Sequence, residues 1–163
     1  MTDTPQSEIH SADVPQEDNL GDVRRTVEAI AGGLEDTESI AGRIGRSKRH
    51  VGYAINAAIV LGWIEEGEHQ LRVLELATKL LAQKAGSDAE RAVLRESIEA
   101  SAVLRALAPE LLAAAEPTRE QLSGRIQGLS GLSQSTSDRR AQTLLSWRRQ
   151  VVGEGAATAG SKA

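Results

Sequence analysis

The stretch "RIGRSKRHVGYAINAAIVLGWI", Arg43 to Ile64, decides how this chain reads. Its first eight residues contain Arg43, Arg46, Lys48, Arg49 and His50 and no acid. Ser47 has the side chain of a helix N-cap, and Val51, Ile55, Ala58 and Ile59 then recur at i, i+4, i+7 and i+8. That spacing predicts a helix with one buried face, ended by Gly62. Its other face carries Lys48, Arg49, Gly52, Tyr53 and Asn56. Cations at a helix N-terminus oppose the macrodipole, so they weaken the helix slightly. Their concentration there points to an anionic partner, with phosphate groups as the natural candidate.

Upstream, Val23, Val27, Ile30, Ala31 and Leu34 share a face and predict a first helix. Asp36 or Thr37 caps a short second one with Ile40, Ala41 and Ile44 inward, and Gly45 ends it. Downstream, "WIEEGEHQLRV" reads as a hairpin: Trp63 and Ile64 lead out, the tip lies around Gly67, and Leu71 and Val73 return. A helix over about residues 75–83 follows. Three helices, the third cationic on its outer face, then a two-stranded hairpin, is the order of a winged helix-turn-helix unit.

After the break "AGSD", one helix is predicted from Asp88 through "AERAVLRESIEASAVLRAL" and a shorter one over "PELLAAA". Then the pattern repeats. Residues 40–44 read I-A-G-R-I and residues 122–126 read L-S-G-R-I, an offset of 122 − 40 = 82. Thr118 and Gln121 have capping-box spacing, "QGLSGLSQ" reads as a linker, and a last helix starts at Ser135, again at capping-box spacing from Asp138. Ala141, Leu144, Leu145 and Val152 face inward, with Arg139, Gln142, Ser146 and Arg149 outward. The expected fold is mainly α, with tandem winged helix-turn-helix units over residues 23–86 and 87–152. Only the first has an apparent wing.

The chain of 163 residues has 40% hydrophobic and 2% aromatic content and no Phe, so its core must come from Ala, Leu, Ile and Val, which suits closely packed helices. With no Cys, disulfides, thiolate metal sites and cysteine nucleophiles are excluded. The net charge of −4 is uneven. Residues 1–22 carry six acids and no Lys or Arg, and residues 153–163 sum to zero, which leaves −4 + 6 = +2 on the body. Both ends are expected to be disordered, the acidic one serving solubility or competing for the basic surface. No apolar run has membrane-spanning length and no signal peptide is evident, so a cytoplasmic protein without a membrane partner is expected.

The candidate DNA-contacting residues are Arg46, Ser47, Lys48, Arg49, His50, Tyr53 and Asn56, with Ser135, Thr136, Arg139, Arg140 and Gln142 in the second unit. Asn56 has the donor and acceptor that adenine requires in the major groove. Trp63 and Trp147 are expected in the core. His10, His50 and His69 lack carboxylate or thiolate companions at ligand spacing, so neither a metal nor another cofactor is expected. "AGGLEDTES" lacks the Lys-Ser/Thr ending of a phosphate loop, and no Glu-x-Lys or Asp-x-Lys occurs, so catalysis is not expected.

Two segments resemble a known family. Ser47, Arg49, Tyr53, Ala57, Leu61 and Gly62, followed by Ser135, Thr136, Arg139, Arg140, Ala141, Thr143 and Trp147, are similar to the motifs of a bacterial winged-helix module. That module accompanies restriction endonucleases and defence-system ATPases. The resemblance spans roughly residues 23–152, with only these segments distinctive. It implies a winged-helix DNA-binding role beside a nuclease or another effector such as an ATPase. The leading expectation is a double-stranded DNA-binding protein, a transcriptional regulator or a defence component, with a homodimer compatible because single small modules bind weakly. Ala54 and the acidic hairpin residues Glu65, Glu66 and Glu68 depart from the family pattern. The rival expectation is a tandem winged-helix protein-interaction subunit of a chromosome-organising or effector complex.

Overall fold

Helices α2 (Thr37–Ile44) and α3 (Lys48–Val60) form where the apolar spacing places them, while α1 (Leu20–Ala31) starts three residues before the expected Val23 and ends before Leu34. The structure, a computed structural model, describes residues 9–153. The side chains of Asn19, Asp36 and Ser47 accept the backbone N–H groups of Asp22, Ser39 and His50, so each helix starts on a filled cap. α2 stops at Gly45, which is left-handed at φ 73° and lets the chain turn within two residues into α3. Ile40, Ile44, Val51, Ala54 and Ala58 are buried between the three helices.

Strands β1 (Ile64–Glu66) and β2 (Leu71–Val73) pair antiparallel, with Ile64 opposite Val73 and Glu66 opposite Leu71. Trp63, fully buried before β1, donates its indole N–H to Ser97 Oγ at 2.8 Å. Helices α4 (Glu75–Leu81) and α5 (Asp88–Ala100) close over it. Arg24 of α1 ties this corner together, bonding Glu90 Oε2 and the Gln83 carbonyl, each at 2.7 Å. One hydrophobic cluster runs through both halves of the chain, across the expected boundary at residues 86 and 87.

The second half departs from expectation in four places. The long helix after Asp88 breaks at Ser101, whose hydroxyl accepts the Leu104 N–H and starts α6 (Ala102–Leu107). "PELLAAA" forms turns instead of a helix. Arg148 donates to its Leu111 and Ala113 carbonyls, and Arg125 grips both oxygens of its Glu110 while donating to the preceding Leu107 O. The first half of the expected linker, residues 127–130, continues as helix, because α7 (Arg119–Ser130) runs on to Gly131, left-handed at φ 77°. The last helix, α8 (Gln134–Val152), is capped by Ser133 rather than Ser135. Asp138 then accepts from Ser123 Oγ at 2.6 Å instead of completing a box. The capping box of Thr118 with Gln121 is present.

Residues 9–22 were expected to be disordered, yet Ile9, Val14 and Glu17 are buried and residues 11–13 form a 3-10 turn. This strap lies against α8 and α3. Its carbonyls are taken by α8 side chains: Arg140 donates to Val14 O at 3.0 Å, Trp147 Nε1 to Glu17 O at 2.7 Å and Gln150 to Asp18 O at 2.7 Å. Ile9 N–H in turn donates to Leu129 O. The expectations for residues 1–8 and 154–163 lie outside the described residues.

Candidate nucleic-acid interface

The first cationic patch divides in two when it folds. Lys48, Arg49 and Asn56 are exposed on α3, and Lys48 has no hydrogen-bond or ion-pair partner among the described residues. Arg49 lies over Tyr53, its guanidinium carbon 5.7 Å from the ring centroid and its Nε donating to the phenol oxygen at 2.8 Å. The half-buried Tyr53 thus holds Arg49 beside α3 instead of leaving it to swing freely. Ser47 spends its hydroxyl on the cap.

Arg46, still exposed, and the half-buried His50 turn to buried acids. Arg46 Nε donates to Asp22 Oδ2 at 3.0 Å, and His50 Nε2 lies 3.0 Å from Glu17 Oε1 and 3.2 Å from Asp22 Oδ2. Arg25 reaches the other Asp22 oxygen at 3.2 Å. Burial pushes the Glu17 carboxyl above its ordinary value, against the Asn19 N–H and His50. Burial acts on Asp22 in the same direction, but the Arg46 hydrogen bond and the charges of Arg46, His50 and Arg25 outweigh it and hold that carboxyl below its ordinary value.

His50 therefore does have carboxylate companions, contrary to the reading from spacing, because they come from the strap and from α1. Glu17, Asp22 and His50 bring three donor atoms within 4.8 Å of one another, a grouping able to hold a metal ion. With Arg25 and Arg46 already on the two oxygens of Asp22, the two carboxylates have two guanidinium counter-charges without one.

The second patch folds against the first. Arg139, Arg140 and Gln142 of α8 line a cleft of about 500 Å3 together with Arg49 and Tyr53 of α3, some ninety residues earlier in the chain. Arg119 at the start of α7, Asp138, Thr143 and the strap residues Gln16 and Asp18 complete the lining. Arg139 is exposed and its guanidinium has no partner among the described residues. Arg140 is half-buried and bonded to the strap; burial first, and the charge of Arg139 second, lower its pKa. Ser135 is exposed and Thr136 half-buried in the first turn of α8, outside the cleft lining.

Arg119 escaped the sequence reading because a lone arginine at a helix start gives no signal until α7 brings it to the cleft. Trp63 and Trp147 are fully buried, as expected of core residues. No helix among the described residues is long and apolar enough to cross a membrane. No family model, no curated protein and no solved structure matches the chain. The geometry of these side chains therefore carries the functional reading.

Proposed function

We propose that this is a sequence-selective double-stranded DNA-binding protein in which α2 and α3 act as the helix-turn-helix of a winged unit. The carrying observation is that Lys48, Arg49 and Asn56 stand exposed on α3 while the neighbouring Arg46 and His50 are engaged by acids inside the molecule. An α-helix fits the major groove, and 13 residues give it about 20 Å of length to do so. Lys48 meets backbone phosphate, Arg49 a phosphate or guanine, and Asn56 a base edge. Arg139, across the cleft, adds a backbone contact. The protein serves as a transcriptional regulator or as the DNA-recognition part of a defence system with a nuclease or ATPase partner.

Fluorescence anisotropy against a duplex pool at several salt concentrations tests this reading. Binding should weaken as salt rises and fall sharply in the Lys48→Ala, Arg49→Ala double variant. At a selected site, Arg49→Ala alone should cost about 1–3 kcal/mol if it reads a base. Absence of wild-type binding at low salt overturns the proposal.

The exposed acids of the hairpin, Glu66 and Glu68, favour a second reading, a winged-helix subunit that grips a protein partner. That reading expects no duplex affinity at any salt concentration and a stable co-purifying partner.

A further inference from the structure

The cleft between α3 and α8 has a lining that a duplex backbone does not explain. Arg49, Arg119, Arg139 and Arg140 bring four positive charges to it, yet Asp18 and Asp138 stand among them. Neither aspartate forms an ion pair among the described residues. Asp18 Oδ1 accepts from Thr143 Oγ1 at 2.5 Å and Asp138 Oδ1 from Ser123 Oγ at 2.6 Å. The cleft thus keeps guanidinium groups and carboxylates apart within one concavity, where they would otherwise neutralise each other. A phosphodiester chain gains from the first and is repelled by the second. A volume of about 500 Å3 is also that of a small-molecule site, within the usual range of about 300–1,000 Å3.

We propose that this cleft binds a nucleoside monophosphate, the arginines holding its phosphate and the aspartates accepting from hydroxyl or amino groups of its sugar and base. Among the described residues, Arg139 provides an unpartnered guanidinium and Arg119 a second, whose nearest acid, Glu120, is 3.9 Å away. Asp18 and Asp138 accept only, so they favour the donor-bearing end of the ligand and reject a bare phosphate ion. The same chemistry is offered by a free mononucleotide and by the 5′-phosphorylated end of a DNA strand.

Isothermal titration of the full chain with AMP, CMP, GMP and UMP, with adenosine and inorganic phosphate alongside, tests the assignment. At least one monophosphate should bind saturably, and both half-ligands should bind at least about tenfold more weakly. Arg119→Ala and Arg139→Ala should each weaken the monophosphate about tenfold, the loss of one charge-assisted hydrogen bond. Asp138→Asn should weaken it while leaving inorganic phosphate unweakened. Circular dichroism and a melting curve confirm that each variant is folded. Competition by a short 5′-phosphorylated oligonucleotide, but not by its unphosphorylated form, assigns the ligand to a strand end, and no competition by either assigns it to a free nucleotide.

No saturable binding by any monophosphate, or binding indifferent to both arginines, overturns the proposal. Lys48→Ala separates this test from the DNA reading, because Lys48 is outside the cleft lining and should affect only duplex affinity.

Discussion

Helix pairs α2–α3 and α7–α8 share one turn pattern, and the chain covers them differently. Both turn through glycine, one residue, then serine: Gly45 and Gly131 are left-handed, and Ser47 and Ser133 cap the next helix. The first helices match at an offset of 82 and the turns at 133 − 47 = 86, because α7 has the four extra residues 127–130 before its glycine. Four residues are about one helical turn, so the insertion lengthens α7 without rotating its face far. Beyond the turn, buried positions coincide at the same offset: Val51 with Ser137, Ile55 with Ala141, Ala58 with Leu144, Leu61 with Trp147.

The coverings explain the divergence in chemistry. The hairpin follows α3 directly, while the strap lies on α8 and feeds its carbonyls to Arg140, Trp147 and Gln150. Arg43 and Arg125 hold the same place in the repeated pentapeptide, but Arg43 is exposed and Arg125 is locked on Glu110. One helix pair thus keeps Arg43, Lys48 and Arg49 outward, and the other ties Arg125, Arg140 and Arg148 into the structure.

The largest effect should come from removing the tryptophan on either side of the comparison. Trp63→Ala and Trp147→Ala should each cost about 3–5 kcal/mol in denaturant unfolding. A much smaller loss for Trp147 would mean that the strap does not serve the second pair as the hairpin serves the first. Next come two adjacent arginines on α8. Arg140→Ala leaves the Val14 carbonyl without its donor and should cost about 1.5–3 kcal/mol, whereas the exposed Arg139→Ala should change stability by no more than about 0.5 kcal/mol.

The glycines test whether the turns are equivalent. Gly45→Ala and Gly131→Ala should lose about 1–2 kcal/mol each by forcing a side chain into the left-handed region, and unequal losses would break the equivalence.

The smallest effect should be in pH dependence. Since folding raises the Glu17 pKa, the folded state holds that proton more tightly. Stability is then lost as pH rises from 4.5 through the folded value. Glu17→Gln should flatten that decline in melting curves taken across pH. Asp22 acts oppositely and lower: its depressed folded value adds stability above 3.8, which is lost as pH falls through that folded value.

Residues 23–83 were legible because their apolar residues repeat at helical or strand spacing, and the Asp36 and Ser47 caps are strong local signals. Ile9 and Val14 lie too far apart in a polar stretch to form a period, so only packing against α3, α7 and α8 gives them a place. "PELLAAA" has good helix formers, but the distant Arg148 takes its Leu111 and Ala113 carbonyls and Arg125 its Glu110 carboxylate, and it forms turns. The α3 face could be read residue by residue. That Arg49 and Arg139 share a cleft could not, since the packing of α8 against the strap sets that distance, and no local pattern encodes it.

The strap also has a consequence in time. Its side-chain partners on α8 lie 125–132 residues further along the chain. At synthesis rates of about 5–20 residues per second, it leaves the ribosome on the order of ten seconds before they exist. During that interval Ile9 and Val14 have no α8 to rest on. The strap, made early, therefore completes its docking only once α8 has been made.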